Sequence, residues 1–274
     1  MIKFFRRFRQ KLLSENKFSK YLLYAIGEII LVVIGILIAL QINNWNNNRL
    51  DQKQACVYLS NLIIDLQEQL NIVESQFSFE YEAVLNGEAL LSSYSEVGGF
   101  QIDEDFSKRL SILNNRKTFK IANSTFDELL ASGNTNLIEN STLKPTILDY
   151  FKDLERDKLV LTQNNEYIDN HFAPMALEIS THYMPNLQIT GFKDIIEKGY
   201  LEKGESKYLM NKEKAFTIIE RKLKSDEYEL RLLNEVNYRY RIAAVHLGIM
   251  DEIKEKTEIL IHLIQEEQKK CPLN

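Results

Sequence analysis

The chain has 274 residues, with 34 Lys and Arg against 39 Asp and Glu and a formal net charge of −5. Ten Gly and four Pro are too few for a turn-rich β fold and fit long helices instead. The first twenty residues hold Lys3, Arg6, Arg7, Arg9, Lys11, Lys17 and Lys20 against Glu15 alone, so they carry +6 and leave −11 for residues 21–274. That acidic remainder argues against nucleic acid as a partner.

The basic stretch 1–20 is too short to hold a folded domain. Ile2, Phe5, Phe8 and Leu12 recur in it at helical spacing among the positive charges. An amphipathic helix on an anionic cytoplasmic leaflet fits this pattern, and so does an ordinary positive-inside tail. Residues 21–42, YLLYAIGEIILVVIGILIALQI, follow as an apolar run with one carboxylate, Glu28. At helical rise they span about 33 Å, enough to cross a hydrocarbon core. Positive charge stays cytoplasmic, so the N-terminus is expected inside and residues 43–274 in the periplasm, with the chain held in the inner membrane. Tyr21, Tyr24 and Trp45 stand where interfacial aromatics belong. The exit Ala39-Leu40-Gln41-Ile42-Asn43 lacks a small residue two positions after Ala39, so an uncleaved signal anchor is expected rather than a removed leader.

Beyond the apolar run, Leu59, Ile63, Leu66, Leu70, Val73, Phe77 and Val84 recur at steps of four and three. Polar residues such as Asp65, Glu68, Gln69, Glu74 and Glu80 fill the gaps. No Pro or Gly separates this helix from the membrane segment, so the two are expected to join, with Asn43–Asn48 as a soft joint and the end before Gly98-Gly99. A shorter helix is predicted over Asp103–Leu113, with Asp103 as its cap. Ser124 and Asp127 stand at capping-box spacing, and Gly133 is placed to end that helix in the left-handed conformation. Asn140 or Ser141 caps the next helix, whose early Pro145 is tolerable in a first turn. Pro174 should kink or end it. Residues 181–206 carry Pro185, Gly191, Gly199 and Gly204 and are the loosest part, with a short helix at Phe192–Lys198. From about Asn211 the chain is helical again. Leu233, Val236, Tyr240, Ala243, Leu247, Met250, Thr257, Ile261 and Ile264 lie on a heptad seam broken at Lys254, and the helix stops before Pro272. The fold class is therefore all-α: one N-terminal transmembrane helix continuing into an elongated antiparallel helical bundle. Its divisions are a basic tail 1–20, the span 21–42 and a bundle 43–274.

The stretch FFRRFRQKLLSENKFSKYLLYAIGEIILVVIGILIALQINNWN resembles the N-terminal signature of a domain-of-unknown-function family of single-pass membrane proteins common in flavobacteria. The likeness runs over Phe4–Asn46 and continues more loosely through LLASGNTNLIEN. Beyond about Ile179 only the helical character is shared. The resemblance implies topology and compartment but no chemistry, and it makes Gly27-Glu28 part of a motif. The Asn-rich stretch after the span departs from relatives, which tend to carry Glu and Lys there.

Glu28 lies about 10 Å into the span, where a charged acid calls for a partner or a proton. Glu28, Leu31, Gly35 and Ala39 share one helix face, and Gly35 with Ala39 makes a small-xxx-small pair. A transmembrane association face follows as the functional reading, with a snorkelling or protonated carboxyl as the plain one. Cys56 and Cys271 would meet if the first and last outer helices are antiparallel; otherwise they are two separate thiols. His171, His182, His246 and His262 show no metal spacing, and no P-loop, Rossmann or nucleophile-elbow pattern occurs, so no cofactor is expected; His246 and His262 fall near the apolar seam of the last helix and are expected as satisfied, partly buried side chains. In Tyr238-Arg239-Tyr240-Arg241 the tyrosines are expected to pack and the arginines to be solvated. The resulting expectation is a non-enzymatic protein whose partners are the lipid bilayer and either a second copy or another protein. An extracytoplasmic ligand-sensing module is the alternative.

Overall fold

The computed structural model describes residues 18–181, 183–184, 197–200, 204–205 and 211–271. The N-terminal amphipathic pattern, His182 and all but the end of the short helix expected at 192–198 lie outside them. Helix α1 spans Phe18–Val97, α2 Glu104–Leu113, α3 Ser124–Ala131, α4 Leu143–Tyr167, α5 Ala173–Ile179, α6 Lys212–Leu223 and α7 Asp226–Gln268. A two-residue antiparallel pair, β1 at Tyr183–Met184 and β2 at Gly204–Glu205, is the described β structure. The fold is otherwise helical, and its long apolar N-terminal helix leads into the others.

The chain divides into two units, Met1–Tyr58 with Cys271–Asn274, and Leu59–Lys270. In the first, α1 is long and apolar enough to cross a membrane. Every residue from Ile29 to Ile42 is exposed. The helix runs unbroken through Asn43–Asn48. Asparagine costs only tenths of a kcal/mol per position, roughly, against a hydrogen-bond ladder that no proline interrupts. Cys56 and Cys271 are joined in this unit as a disulfide, with Cα atoms 6.0 Å apart.

The second unit is built on three long helices. Contacts of Gly87 with Tyr240 and of Ser60 with Gln268 make α1 and α7 antiparallel. The pairs Asn140–Glu267, Tyr150–Thr257 and Asn164–His246 do the same for α4 and α7. Leu62, Leu66, Leu129, Phe151, Leu154, Ile253 and Leu260 are among its buried apolar side chains. A second cluster gathers Leu90, Phe106, Leu110, Phe172, Met175, Ile179, Leu223 and Val236.

Local signals explain most boundaries. Gly98 takes φ +73° after Val97, and its N–H donates to the Tyr94 carbonyl at 2.9 Å. Asp103 Oδ1 accepts from the Phe106 N–H at 2.7 Å and caps α2. Gly133 takes φ +70° and stops α3, and the 3₁₀ turn Asn134–Leu137 follows it. Asn140 Oδ1 accepts from the N–H groups of Thr142 and Leu143, both at 3.0 Å, and so performs the capping at the start of α4.

Two expectations need correction, and a third takes a particular form. Ser124 and Asp127 form no capping box: Asn123 is the N-cap without a side-chain bond, and the Thr125 N–H donates instead to Asp65 Oδ2 on α1 at 2.7 Å. Pro174 disturbs the helix as expected, although the distortion lies on its N-terminal side. The distortion is a π-helical turn at Ile168–Phe172 immediately before it, where a missing N–H and ring bulk are absorbed, and α5 continues to Ile179. The C-terminal helical stretch is interrupted at Lys224-Ser225, which separates α6 from α7.

Candidate functional site

Seven-residue periodicity in α1 and α7 assembles the most unusual chemistry of the second unit. On α1 the buried positions within this unit are Leu59, Leu62, Leu66, Gln69, Val73, Gln76, Glu80, Ala83, Gly87 and Leu90, in alternating steps of three and four. On α7 the buried positions Leu232, Val236, Arg239, Ala243, His246, Met250, Ile253, Thr257, Leu260 and Ile264 alternate in the same way, and Ile242 is buried beside them. Half of each expected seam is thereby displaced by one residue. Ile63, Leu70, Phe77 and Val84 flank the true seam half-buried, as do Leu233, Tyr240, Leu247 and Ile261. The break at Lys254 disappears because Ile253 holds that position.

The displaced positions Gln76, Arg239 and His246, together with the seam position of Glu80, bring polar groups into the core. Glu80 and Arg239 are each 1% exposed and His246 is 0% exposed. His246 Nδ1 lies 2.9 Å from Glu80 Oε1, and Gln76 Nε2 donates to the same oxygen at 3.0 Å. On the other side of the imidazole, Nε2 lies 3.0 Å from Asn164 Nδ2 of α4. The tautomer with its proton on Nδ1 satisfies both contacts. Arg239 donates from Nε to the Leu113 carbonyl at 2.9 Å, from one terminal nitrogen to Glu80 Oε2 at 3.5 Å and from the other to the Asn115 carbonyl at 3.4 Å. Three helices and the end of α2 thus close one network, which corrects the solvated role expected for Arg239. Arg241 is the exposed member of that pair.

The electrostatics follow from burial and pairing. Burial pushes the Glu80 carboxyl up, but the His246 hydrogen bond and the Arg239 charge outweigh it and hold Glu80 below the usual glutamate value. Burial lowers the Arg239 guanidinium against the opposing pull of Glu80. Burial likewise lowers Lys117, which Glu80 opposes, while its Nζ donates to the Ser75 carbonyl at 2.7 Å. The set holds a paired charge shut off from solvent.

Of the residues singled out in the sequence, Arg239 and His246 belong to this network, and the others lie elsewhere. Glu28, Leu31, Gly35 and Ala39 occupy one face of α1 in the first unit, and a Cβ built on Gly35 meets nothing within 4 Å. His262 is exposed on α7, 3.9 Å from Glu266. Among the described residues no group of three His, Cys, Asp or Glu side chains could hold a metal ion. A small polar recess at the end of α1 is lined by Ser93, Gln101, Asp103, Asp105 and Arg109. Its Asp103 is already engaged as the α2 cap.

The model of a family of unknown function, DUF6090, matches residues 28–201. The chain belongs to that family. No curated protein and no solved structure matches it.

Proposed function

Taking that membership as the premise, we propose that this chain is a single-pass membrane anchor with a non-enzymatic, protein-binding helical unit in the cell envelope. The apolar α1 segment carries the reading: a stretch long enough to span a bilayer, with exposed side chains from Ile29 to Ile42, calls for lipid or another helix around it. The +6 tail supports a cytoplasmic N-terminus in the inner membrane, and the Cys56–Cys271 disulfide supports an oxidising compartment, the periplasm, for the C-terminal part. A flavobacterial origin fits the N-terminal signature.

The partner is a second copy or another single-pass helix that packs on the face of Glu28, Leu31, Gly35 and Ala39. Gly35 and Ala39 permit close backbone approach, and the Glu28 carboxyl finds a hydrogen-bond partner across the contact. A ligand-sensing role has less support, because the recess near Arg109 is small and its Asp103 already caps α2.

Cross-linking in intact membranes, followed by purification in detergent, tests this reading. The wild-type chain is expected in a discrete complex, and Glu28→Leu is expected to reduce its size. An unchanged complex in Glu28→Leu and Gly35→Leu would remove the transmembrane face from the proposal.

A further inference from the structure

We infer that the Glu80–Arg239–His246 layer is a register lock, a device that admits one longitudinal alignment of α7 on α1 and rejects its heptad neighbours. This inference is independent of the partner proposed above. Apart from Gln69, Gln76 and Thr257 the rest of the two seams is apolar, and apolar seams interlock almost equally well when one helix slides by a heptad, about 10.5 Å at helical rise. The polar layer breaks that equivalence.

In one direction of sliding, Ile253 and His246 take the places of His246 and Arg239. In the other, Arg239 and Leu232 take them. Both lift the Arg239 guanidinium from the Leu113 and Asn115 carbonyls it now serves. Both also leave Glu80, at 1% exposure, with one charged or hydrogen-bonding partner fewer. A buried carboxylate that loses a partner is heavily penalised, whereas an aliphatic layer would tolerate either slide. Asn164 adds a third helix to the lock, because its amide meets His246 Nε2 only in the native alignment. The charged groups that act on the layer from outside it are Arg116 and Lys117, both on the segment after α2.

The test uses the full-length chain with Cys56→Ser and Cys271→Ser, so that the native disulfide neither fixes the alignment nor scrambles with the reporters. Gly87→Cys is combined in turn with Tyr240→Cys, which reports the native register, and with Leu233→Cys or Leu247→Cys, which report the two slides. Gly87 faces Tyr240 directly: a Cβ there would lie 3.0 Å from Tyr240 Cβ, so the pair bridges once the helices part by roughly half an ångström. With the layer intact, the native pair is expected to cross-link on the order of a hundredfold more than either slid pair. In the triple variant Glu80→Leu, Arg239→Leu, His246→Leu, the slid pairs are expected to rise to within about tenfold of the native one. The conservative variant Glu80→Gln, which keeps shape and removes charge, should fall between them. Slid pairs that stay at the intact-layer level in the triple variant would overturn the lock. Loss of helical circular dichroism in that variant would also overturn it, since the layer would then be required for folding rather than for choosing a register.

Discussion

His246 Nδ1 and Glu80 Oε1 lie 2.9 Å apart in the interior of the second unit, although 166 residues separate them in the chain. Each occupies a seam position of its own helix, and Arg239, two turns from His246 along α7, completes the charge balance. Removing one member therefore differs in kind from replacing the set. Glu80→Leu leaves a guanidinium buried without its counter-charge and is expected to cost about 3–5 kcal/mol. The triple aliphatic replacement is expected to cost little or to stabilise. Denaturant titration of the detergent-solubilised chain, followed by helical circular dichroism, distinguishes the two patterns.

The same carboxyl sets an acid limb. Its folded value lies below the ordinary one, so Glu80 contributes stability that is fully present above the unfolded value of about 4.3 and is lost as pH falls through the lower folded value. Thermal melting between neutral pH and pH 3 should show a steeper loss for wild type than for Glu80→Gln, whose starting stability is lower. Parallel curves would show that other carboxylates govern the acid limb.

Cys56 and Cys271 close a loop across a sequence separation of 215. Chain-entropy arguments assign such a loop about 5 kcal/mol, and measured bridges commonly return about 2–4 kcal/mol. Reduction, or Cys56→Ser, should lower the melting temperature by the corresponding amount. Intact protein isolated from membranes under alkylating conditions should weigh two hydrogens less than the reduced chain and carry no alkylated cysteine.

Asp65 on α1 acts as a remote cap for α3 by accepting the Thr125 N–H at 2.7 Å. Its neighbour Gln69 receives the Ala122 N–H at 2.9 Å. Asp65→Ala should cost roughly 1 kcal/mol, the typical value of a lost N-cap, and Asp65→Asn only part of that. Hydrogen exchange should localise the change to residues 123–127; protection unaltered there would remove the capping role.

Gly133 stands at φ +70°, with open space where a Cβ would go. Gly133→Ala should therefore cost about 1–2 kcal/mol through backbone strain alone. Gly35→Ala in the first unit, at helical backbone and with nothing within 4 Å, should leave the stability of the second unit unchanged. Melting both variants side by side checks the contrast.

Signals confined to a few adjacent residues are legible in the amino-acid sequence. Gly98, Asp103, Gly133 and Asn140 end or cap helices through their own backbone freedom or side-chain reach, which depend on neighbours in sequence. The length and apolarity of residues 21–42 and the charge of the tail are equally local, and so is the heptad period of the last helix. The buried half of each seam is not legible in the same way. Leu70 and Phe77 on α1, and Tyr240 and Leu247 on α7, are apolar and adjacent to Gln69, Gln76, Arg239 and His246, so hydrophobic periodicity assigns the seam to the wrong residue of each pair. One hint is present: the apparent break at Lys254 vanishes when that half-seam moves back by one residue to Ile253.

Sequence alone thus determined which segments are helical, where most of them stop and which stretch is long and apolar enough for a membrane. These properties arise from propensity, capping and transfer free energy within one segment. Tertiary structure decided that Glu80, Arg239 and His246 belong in the core and that α3 is capped from α1. A polar side chain can be buried at low cost only if its partner arrives from a distant helix. That partner exists only once α1, α4 and α7 have packed.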